Sequence, residues 1–221
     1  MATTLTGAPG LVGPLGDGAV SEVGVDAFGA LLVAEKGPRY LEWTRRGYMF
    51  ATVTSPAAPA AIPIYSTATN SPTLWNPPDS GRMVVPIKLN LGIAAIATYL
   101  DDSILIAYTP AADYPKTGGN FETFTNIVPK NLLLNGPACR ARYSGAVVTW
   151  TTQPTVLFDT GISVWAAGEE ANLEYRPISY DFDGMVILPP GTAISVVGVV
   201  ATSTTFVTSF IFAELPLPAG V

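Results

Sequence analysis

The chain has 221 residues, with 11 Lys plus Arg, 17 Asp plus Glu, one cysteine and no histidine. A chain of this length can bury a substantial core. Its composition of 13% charged and 48% hydrophobic residues excludes the class of intrinsically disordered proteins that have high charge and low hydrophobicity. The net charge of −6 argues against nucleic-acid binding, and the lack of histidine excludes the common hydrolytic triads and the usual zinc sites.

The first segment, Met1 to Asp26, contains six glycines and two prolines and lacks a periodic apolar pattern. Glycine and proline placed this densely interrupt regular structure. We therefore predict an extended N-terminal arm over residues 1–26 and a folded domain over residues 27–221. The N-terminus lacks the features of a secretory signal, and the apolar stretch Leu91–Leu100 is too short to cross a bilayer, so we expect a protein made in a cytoplasm with no membrane partner.

Short apolar runs separated by turn residues follow the arm, a pattern typical of β-proteins. The predicted strands are Ala30–Glu35, Tyr48–Thr54, Ala61–Ser66, Arg82–Ala95, Ser103–Tyr108, Arg140–Thr151, Ser163–Ala167, Ile178–Leu188, Ala193–Ala201 and Thr205–Glu214. In the last of these, Phe206, Phe210 and Phe212 share one face. We predict an all-β fold, an antiparallel two-sheet β-sandwich that is jelly-roll-like.

Helix signals are scarce in the sequence. Lys36–Arg46 is expected to form one or two helical turns, because Gly37-Pro38 and Gly47 confine it. Gly92–Leu100 fits a short helix, and it fits equally a strand that ends near Ala95.

The candidate chemical motifs favour structure over catalysis. Asp181-Phe182-Asp183-Gly184 has the look of a calcium loop, but the apolar run after it supplies no further ligand, so we predict a β-turn. Cys139 has no histidine to activate it and is predicted to be a small packed side chain. We expect a protein that is not an enzyme and that has no catalytic residue, cofactor or metal.

The basic residues are concentrated, and one group is surrounded by aromatic residues. An arginine guanidinium is well suited to docking on an acidic partner surface. Together with two apolar residues of the arm, this group forms the predicted partner-binding set, which consists of Leu11, Val12, Arg39, Trp43, Arg45 and Arg46.

Three segments have a distinctive composition when they are taken together. They are Gly37–Gly47 (GPRYLEWTRRG), Leu74–Gly81 (LWNPPDSG), and Leu188–Gly191 (LPPG) with the strands after it, which end in Glu214-Leu215-Pro216. In combination they resemble segments of tailed-bacteriophage virion structural proteins. The resemblance covers about half of the chain, and it implies a virion location and a β-sandwich without implying any catalytic residue.

The resemblance leads to one main hypothesis. The chain is expected to be a non-enzymatic structural subunit on the capsid surface, a capsid decoration (cement) protein that clamps neighbouring subunits of the major capsid protein. Binding to the assembled state stabilises that state by mass action, and an extended arm can pair with sheet edges of neighbouring subunits. Closed cyclic symmetry is a common way to bury faces of low charge, and a homotrimer is expected because it would suit three-fold positions of a capsid.

Other functions remain open at this point. The first alternative is a head-fibre, spike or tail protein that binds a host-surface glycan through exposed Trp or Tyr side chains. A second is a jelly-roll subunit that forms the shell itself, and an enzyme is third, since paired carboxylates can hydrolyse glycosides.

Overall fold

In the computed structural model, the described residues are 3–6, 20–25, 31–32, 40–54, 59–65, 69–70, 72–95, 102–109, 129–145, 148–149, 153–164, 178–199 and 205–217. The chain divides into two compact units, Met1–Leu41 and Glu42–Val221. The boundary predicted from the sequence lies earlier, after Asp26.

The described elements are one short helix, α1 (Leu41–Arg45), and a series of strands. In chain order the strands are β1 (Thr3–Thr6), β2 (Val20–Val25), β3 (Leu31–Leu32), β4 (Met49–Val53), β5 (Ala60–Ala61), β6 (Thr69–Asn70), β7 (Thr73–Trp75), β8 (Arg82–Ala95), β9 (Asp102–Thr109), β10 (Lys130–Asn131), β11 (Arg142–Ser144), β12 (Val148–Thr149), β13 (Thr155–Val164), β14 (Ile178–Asp181), β15 (Ala193–Gly198) and β16 (Thr205–Pro216).

The second unit is an all-β, two-sheet antiparallel sandwich, as the sequence predicts. One sheet has the order β10-β4-β16-β8-β14, and β5 pairs with the beginning of β16. The other sheet has the order β11-β7-β15-β9-β13, while β12 and β6 form a separate pair. The edge strands are therefore β10 and β14 in the first sheet and β11 and β13 in the second.

The core lies between the inner faces of these two sheets. Along β16, buried and half-buried residues alternate, so that Phe206, Phe210 and Phe212 are all buried, which confirms that they share one face. From the opposite sheet, Ile194 and Val196 of β15 join the same buried cluster. Close packing of these side chains is the main favourable term that holds the sheets together.

Three buried hydroxyl groups also join the two sheets. The Tyr143 hydroxyl of β11 lies 2.6 Å from Thr208 Oγ1 of β16 and 2.9 Å from Thr54 Oγ1, and the two threonine oxygens are 2.6 Å apart. All three residues are buried, and burial raises the pKa of the Tyr143 phenol. Because each hydroxyl has partners, these polar groups enter the core without an unpaired donor or acceptor.

Aromatic rings fill the space between the edge strands β13 and β14. Phe158 of β13 stacks on Tyr180 of β14 with ring centroids 5.5 Å apart, and Phe182 meets both rings edge-on. Phe182 in turn stacks on Phe210 at 6.3 Å. This cluster therefore connects one side of the sandwich to its centre.

The segment that resembles a calcium loop is a turn, as predicted. Asp183 and Gly184 both have positive φ, 53° and 81°, and the N–H of Met185 donates to the Phe182 carbonyl at 2.8 Å. Positive φ at both central residues defines a type I′ turn, for which Asp-Gly is a favoured pair. The described residues contain no group of three His, Cys, Asp or Glu side chains that could hold a metal ion.

The first unit contains paired strands inside the predicted arm. β1 pairs antiparallel with β2, and β2 pairs with β3, forming a three-stranded sheet. The sequence analysis did not predict β1 and β2, because glycines and prolines dominate that segment. The extended arm and the jelly-roll-like order of the sandwich both stay predictions.

Candidate interaction surface

The C-terminal cap of α1 fixes the position of three predicted partner-binding residues. The N–H groups of Gly47 and Tyr48 each donate to a helix carbonyl at 2.9 Å, the pairing of a Schellman motif. This motif needs a left-handed residue after the helix, and Gly47 provides it with a φ of 72°. The cap leaves Arg45 and Arg46 exposed and Trp43 half-buried, so the structure brings these three residues together at one end of α1.

The remaining predicted partner-binding residues, Leu11, Val12 and Arg39, lie outside the described residues. Of the tryptophans other than Trp43, Trp75 is buried in the sandwich, whereas Trp150 and Trp165 also lie outside the described residues. The glycan-binding alternative therefore gains no exposed tryptophan from the part of the sandwich that the structure describes.

A loop after β10 presents three consecutive leucines to solvent, and we call Leu132–Leu134 the leucine loop. Leu132 and Leu133 are about two-fifths exposed, and Leu134 is 85% exposed. A run of three leucines normally indicates a buried segment, and the sequence analysis did not single it out. Apolar side chains that are held together at the surface are typical of an interaction site.

The leucine loop is held rigidly by the side chain of Asn131. Asn131 Nδ2 donates to the carbonyls of Gly47 and Pro137 at 2.8 and 3.0 Å, and its Oδ1 accepts from the N–H of Leu133 at 2.8 Å. A Cβ at Gly136 would lie 2.7 Å from both Asn131 Cγ and the Leu133 carbonyl, so only glycine fits there. The contact with Gly47 places the loop beside the end of α1.

A second apolar surface lies where β13 and β14 approach each other. It is a groove of about 540 Å³ lined by Tyr108, Leu157, Phe158, Met185, Val186, Ile187, Leu188 and Pro189, and we call it the apolar groove. Leu157, Met185 and Ile187 are 43%, 65% and 54% exposed. The Tyr108 hydroxyl is the one polar side-chain group in this lining, so the groove suits an apolar ligand better than a sugar.

The strand order places these two surfaces at opposite edges of one sheet. The leucine loop follows β10, and the segment that lines the apolar groove follows β14, with β4, β16 and β8 between them. The antiparallel bridge between Leu188 and Val84 keeps that segment beside β8. Four interstrand spacings separate the two edges, which amounts to about 19 Å.

A buried carboxylate holds the chain together close to the leucine loop. Glu214 of β16 is 5% exposed, and its Oε1 accepts the backbone N–H groups of Arg140 and Ala141 at 2.8 and 2.5 Å. The thiol of Cys139 donates to the same oxygen at 2.9 Å. The guanidinium of Arg142 donates to the carbonyl of Arg140 at 2.9 Å, so the segment is bound on both its N–H and its C=O sides. The three bonds to Glu214 tie the residues before β11 to the central strand β16.

Two of the segments that carry the resemblance also meet near Glu214. The buried side chain of Asn76 donates to the carbonyls of Arg82 and Leu188, both at 2.8 Å. Arg140 Nη1 donates to the Ser80 carbonyl at 2.6 Å. The Asn-Pro turn, the Leu-Pro-Pro-Gly turn and the last strand thus form one hydrogen-bonded framework, which gives their composition a structural explanation.

Cys139 should be chemically inert in the folded protein. Burial, together with the nearby Glu214 carboxylate, raises the pKa of its thiol well above the ordinary value of 9.0. Thiolate-directed reagents should therefore label the native chain very slowly at pH 8 and label it promptly after unfolding in urea. Because the folded pKa is the higher one, this group stabilises the fold fully below pH 9 and progressively less above it. Fast stoichiometric labelling of native protein, followed by mass spectrometry, would contradict this prediction.

No protein-family model, no curated protein and no solved structure matches the chain. Among the described residues, no helix has the length and apolar character of a membrane span.

Proposed function

We propose that the chain is a non-enzymatic structural subunit of a tailed-bacteriophage particle. More specifically, it is a capsid decoration protein that lies on the outer surface and clamps neighbouring copies of the major capsid protein. The observation that carries the structural role is the pair of separate apolar surfaces, the leucine loop and the apolar groove, on opposite edges of one sandwich. A structural subunit that contacts several neighbours at once, copies of itself among them, needs more than one such surface.

The internal bonding of the sandwich supports the same role. A protein that transmits force between neighbours benefits from cross-connections between distant parts of its chain. The Glu214 and Asn76 contacts join segments about 74 and 112 residues apart, and the hydroxyl groups of Tyr143 and Thr208 join the two sheets. The assignment to a phage capsid rests on the resemblance of the three segments described above.

The contact with the capsid is assigned to the end of α1. Arg45 and Arg46 are exposed beside the half-buried Trp43, which gives a surface with two cations and an aromatic ring. Such a surface suits an acidic patch on the major capsid protein, because the guanidinium binds carboxylates through two parallel hydrogen bonds. Leu11, Val12 and Arg39 lie outside the described residues, and their partner-binding role stays a prediction.

An image reconstruction of the intact particle tests this function directly. We expect density for the sandwich on the outside of the shell, with the end of α1 directed at the major capsid protein. Particles carrying Arg45→Ala with Arg46→Ala should retain a much smaller share of the chain, whereas Lys88→Ala, at an exposed ion pair with Asp181, should retain it fully. Density at a tail tip or fibre, or full occupancy of the arginine variant, would count against the proposal.

A further inference from the structure

We propose that the leucine loop of one copy binds in the apolar groove of a second copy, and that repetition of this contact closes a ring of three or more copies. In this contact the leucine loop is covered by the apolar groove of an identical chain, and the apolar groove is filled by the leucine loop of another. The contact lies in the sandwich and uses residues other than Trp43, Arg45 and Arg46, although Asn131 places the leucine loop beside the end of α1.

The chemistry of the two surfaces is complementary. The leucine loop projects side chains without polar groups, and Leu134 is exposed over 85% of its surface. The apolar groove offers Leu157, Met185 and Ile187 as partners, and methionine adapts its shape readily to a neighbour. Because Asn131 fixes the loop before binding, association costs less conformational entropy than it would for a flexible loop.

The charges beside the two surfaces have opposite signs. The exposed Lys130 lies two residues before the leucine loop. The exposed Asp159 and Asp183 each lie two residues along the chain from a residue that lines the apolar groove. Opposite charges around an apolar contact favour the correct partner and orientation, and they disfavour pairing of two loops or of two grooves.

The position of the two surfaces determines the kind of assembly. Because they lie at opposite edges of the same sheet, they do not meet within one chain, and a single loop–groove contact joins one edge of one copy to the opposite edge of the next. A pair of copies would therefore leave one leucine loop and one apolar groove unoccupied. A head-to-tail contact of this kind continues until rotation closes it into a ring, which requires at least three copies.

This contact extends the proposed structural role. It rests on that role in one respect only, which is that a structural subunit associates with copies of itself. The test uses the purified 221-residue chain without any capsid. The loop–groove contact and the capsid function can therefore be contradicted independently. A ring that does not bind phage particles would contradict only the capsid function, and a monomer found on the capsid would contradict only the loop–groove contact.

Single charge substitutions test each half of the contact. Light scattering coupled to size-exclusion chromatography should give an oligomer of three or more copies for the unaltered chain. Leu134→Asp in the loop and Ile187→Asp in the groove should each weaken association by about 30-fold or more, because a carboxylate would be buried against apolar side chains. Both positions are exposed in the monomer, at 85% and 54%, so the fold should tolerate the change, which circular dichroism would check. Val199→Asp, at a residue that is 51% exposed and outside both surfaces, is the matched control and should assemble normally.

Mixing the two variants gives the most discriminating result. The Leu134→Asp chain keeps an intact groove and the Ile187→Asp chain keeps an intact loop, so an equimolar mixture should form a heterodimer with a single contact and nothing larger. Native mass spectrometry distinguishes this heterodimer from homodimers if one variant is isotopically labelled. The inference is overturned if the unaltered chain is monomeric, if either variant still assembles fully, or if the mixture remains monomeric.

Discussion

Replacing Glu214 by alanine should lower the free energy of unfolding of the sandwich by about 3 kcal/mol, since it leaves two backbone N–H groups without their acceptor. These groups belong to Arg140 and Ala141, and the Cys139 thiol loses the same partner. Urea denaturation followed by tryptophan fluorescence measures the change, because the buried Trp75 reports on the sandwich. In a thermal scan the midpoint should fall by about 10 °C for a chain of this size.

Glu214→Gln is the matched control for this substitution. The amide oxygen of glutamine can still accept the two backbone N–H bonds, although without the full negative charge, so the loss should be less than half of that for alanine. If alanine and glutamine are equally harmless, the carboxylate does not hold this segment. Equally large losses for both would mean that the charge matters more than the presence of an acceptor.

Replacing Phe210 by alanine should destabilise the sandwich by about 3–5 kcal/mol through the cavity left in the core. Phe210 is fully buried on the central strand β16. Its ring lies 6.1 Å from that of Tyr143 in the other sheet and 6.3 Å from that of Phe182 at the side of the sandwich. Truncation therefore removes contacts in two directions, and chemical denaturation of the purified variant measures the loss.

Two comparisons identify the cause of that loss. Phe210→Leu keeps most of the volume and should cost well under half as much as alanine. Val53→Ala, at a residue that is 47% exposed, should change stability by less than about 0.5 kcal/mol. A cost below about 1 kcal/mol for Phe210→Ala would mean that the core collapses around the missing ring or that the two sheets do not depend on it.

The long strands could be predicted from the sequence because alternation over many residues is a strong signal. β8 was predicted as Arg82–Ala95 and is found with the same bounds, and β16 extends the predicted Thr205–Glu214 by two residues. β13 was largely missed, since only Ser163–Ala167 was predicted there. Irregularities in its pairing with β9, between Val156 and Phe158 and again beyond Asp159, disturb the alternation that a sequence pattern relies on.

The candidate surfaces were less accessible to prediction because they depend on contacts between distant residues. The acceptor role of Glu214 requires donors 73 to 75 residues away, and nothing in the local pattern indicates them. The exposure of Leu132–Leu134 follows from the way Asn131 closes its loop against Gly47 and Pro137. Arg45 and Arg46 are predicted as partner-binding residues from the sequence alone, because clustered arginines between aromatic residues are visible without a structure, and this role stays a prediction.

The place of β16 in its sheet has a consequence for biosynthesis. This strand lies between β4 and β8 and pairs with both, although it begins 110 residues after the end of β8 and 152 residues after the end of β4. The nascent chain must therefore leave the ribosome with β4 and β8 unable to pair with β16, because β16 has not yet been translated. Surfaces that depend on the finished sheet therefore cannot form on the incomplete chain until β16 has been translated.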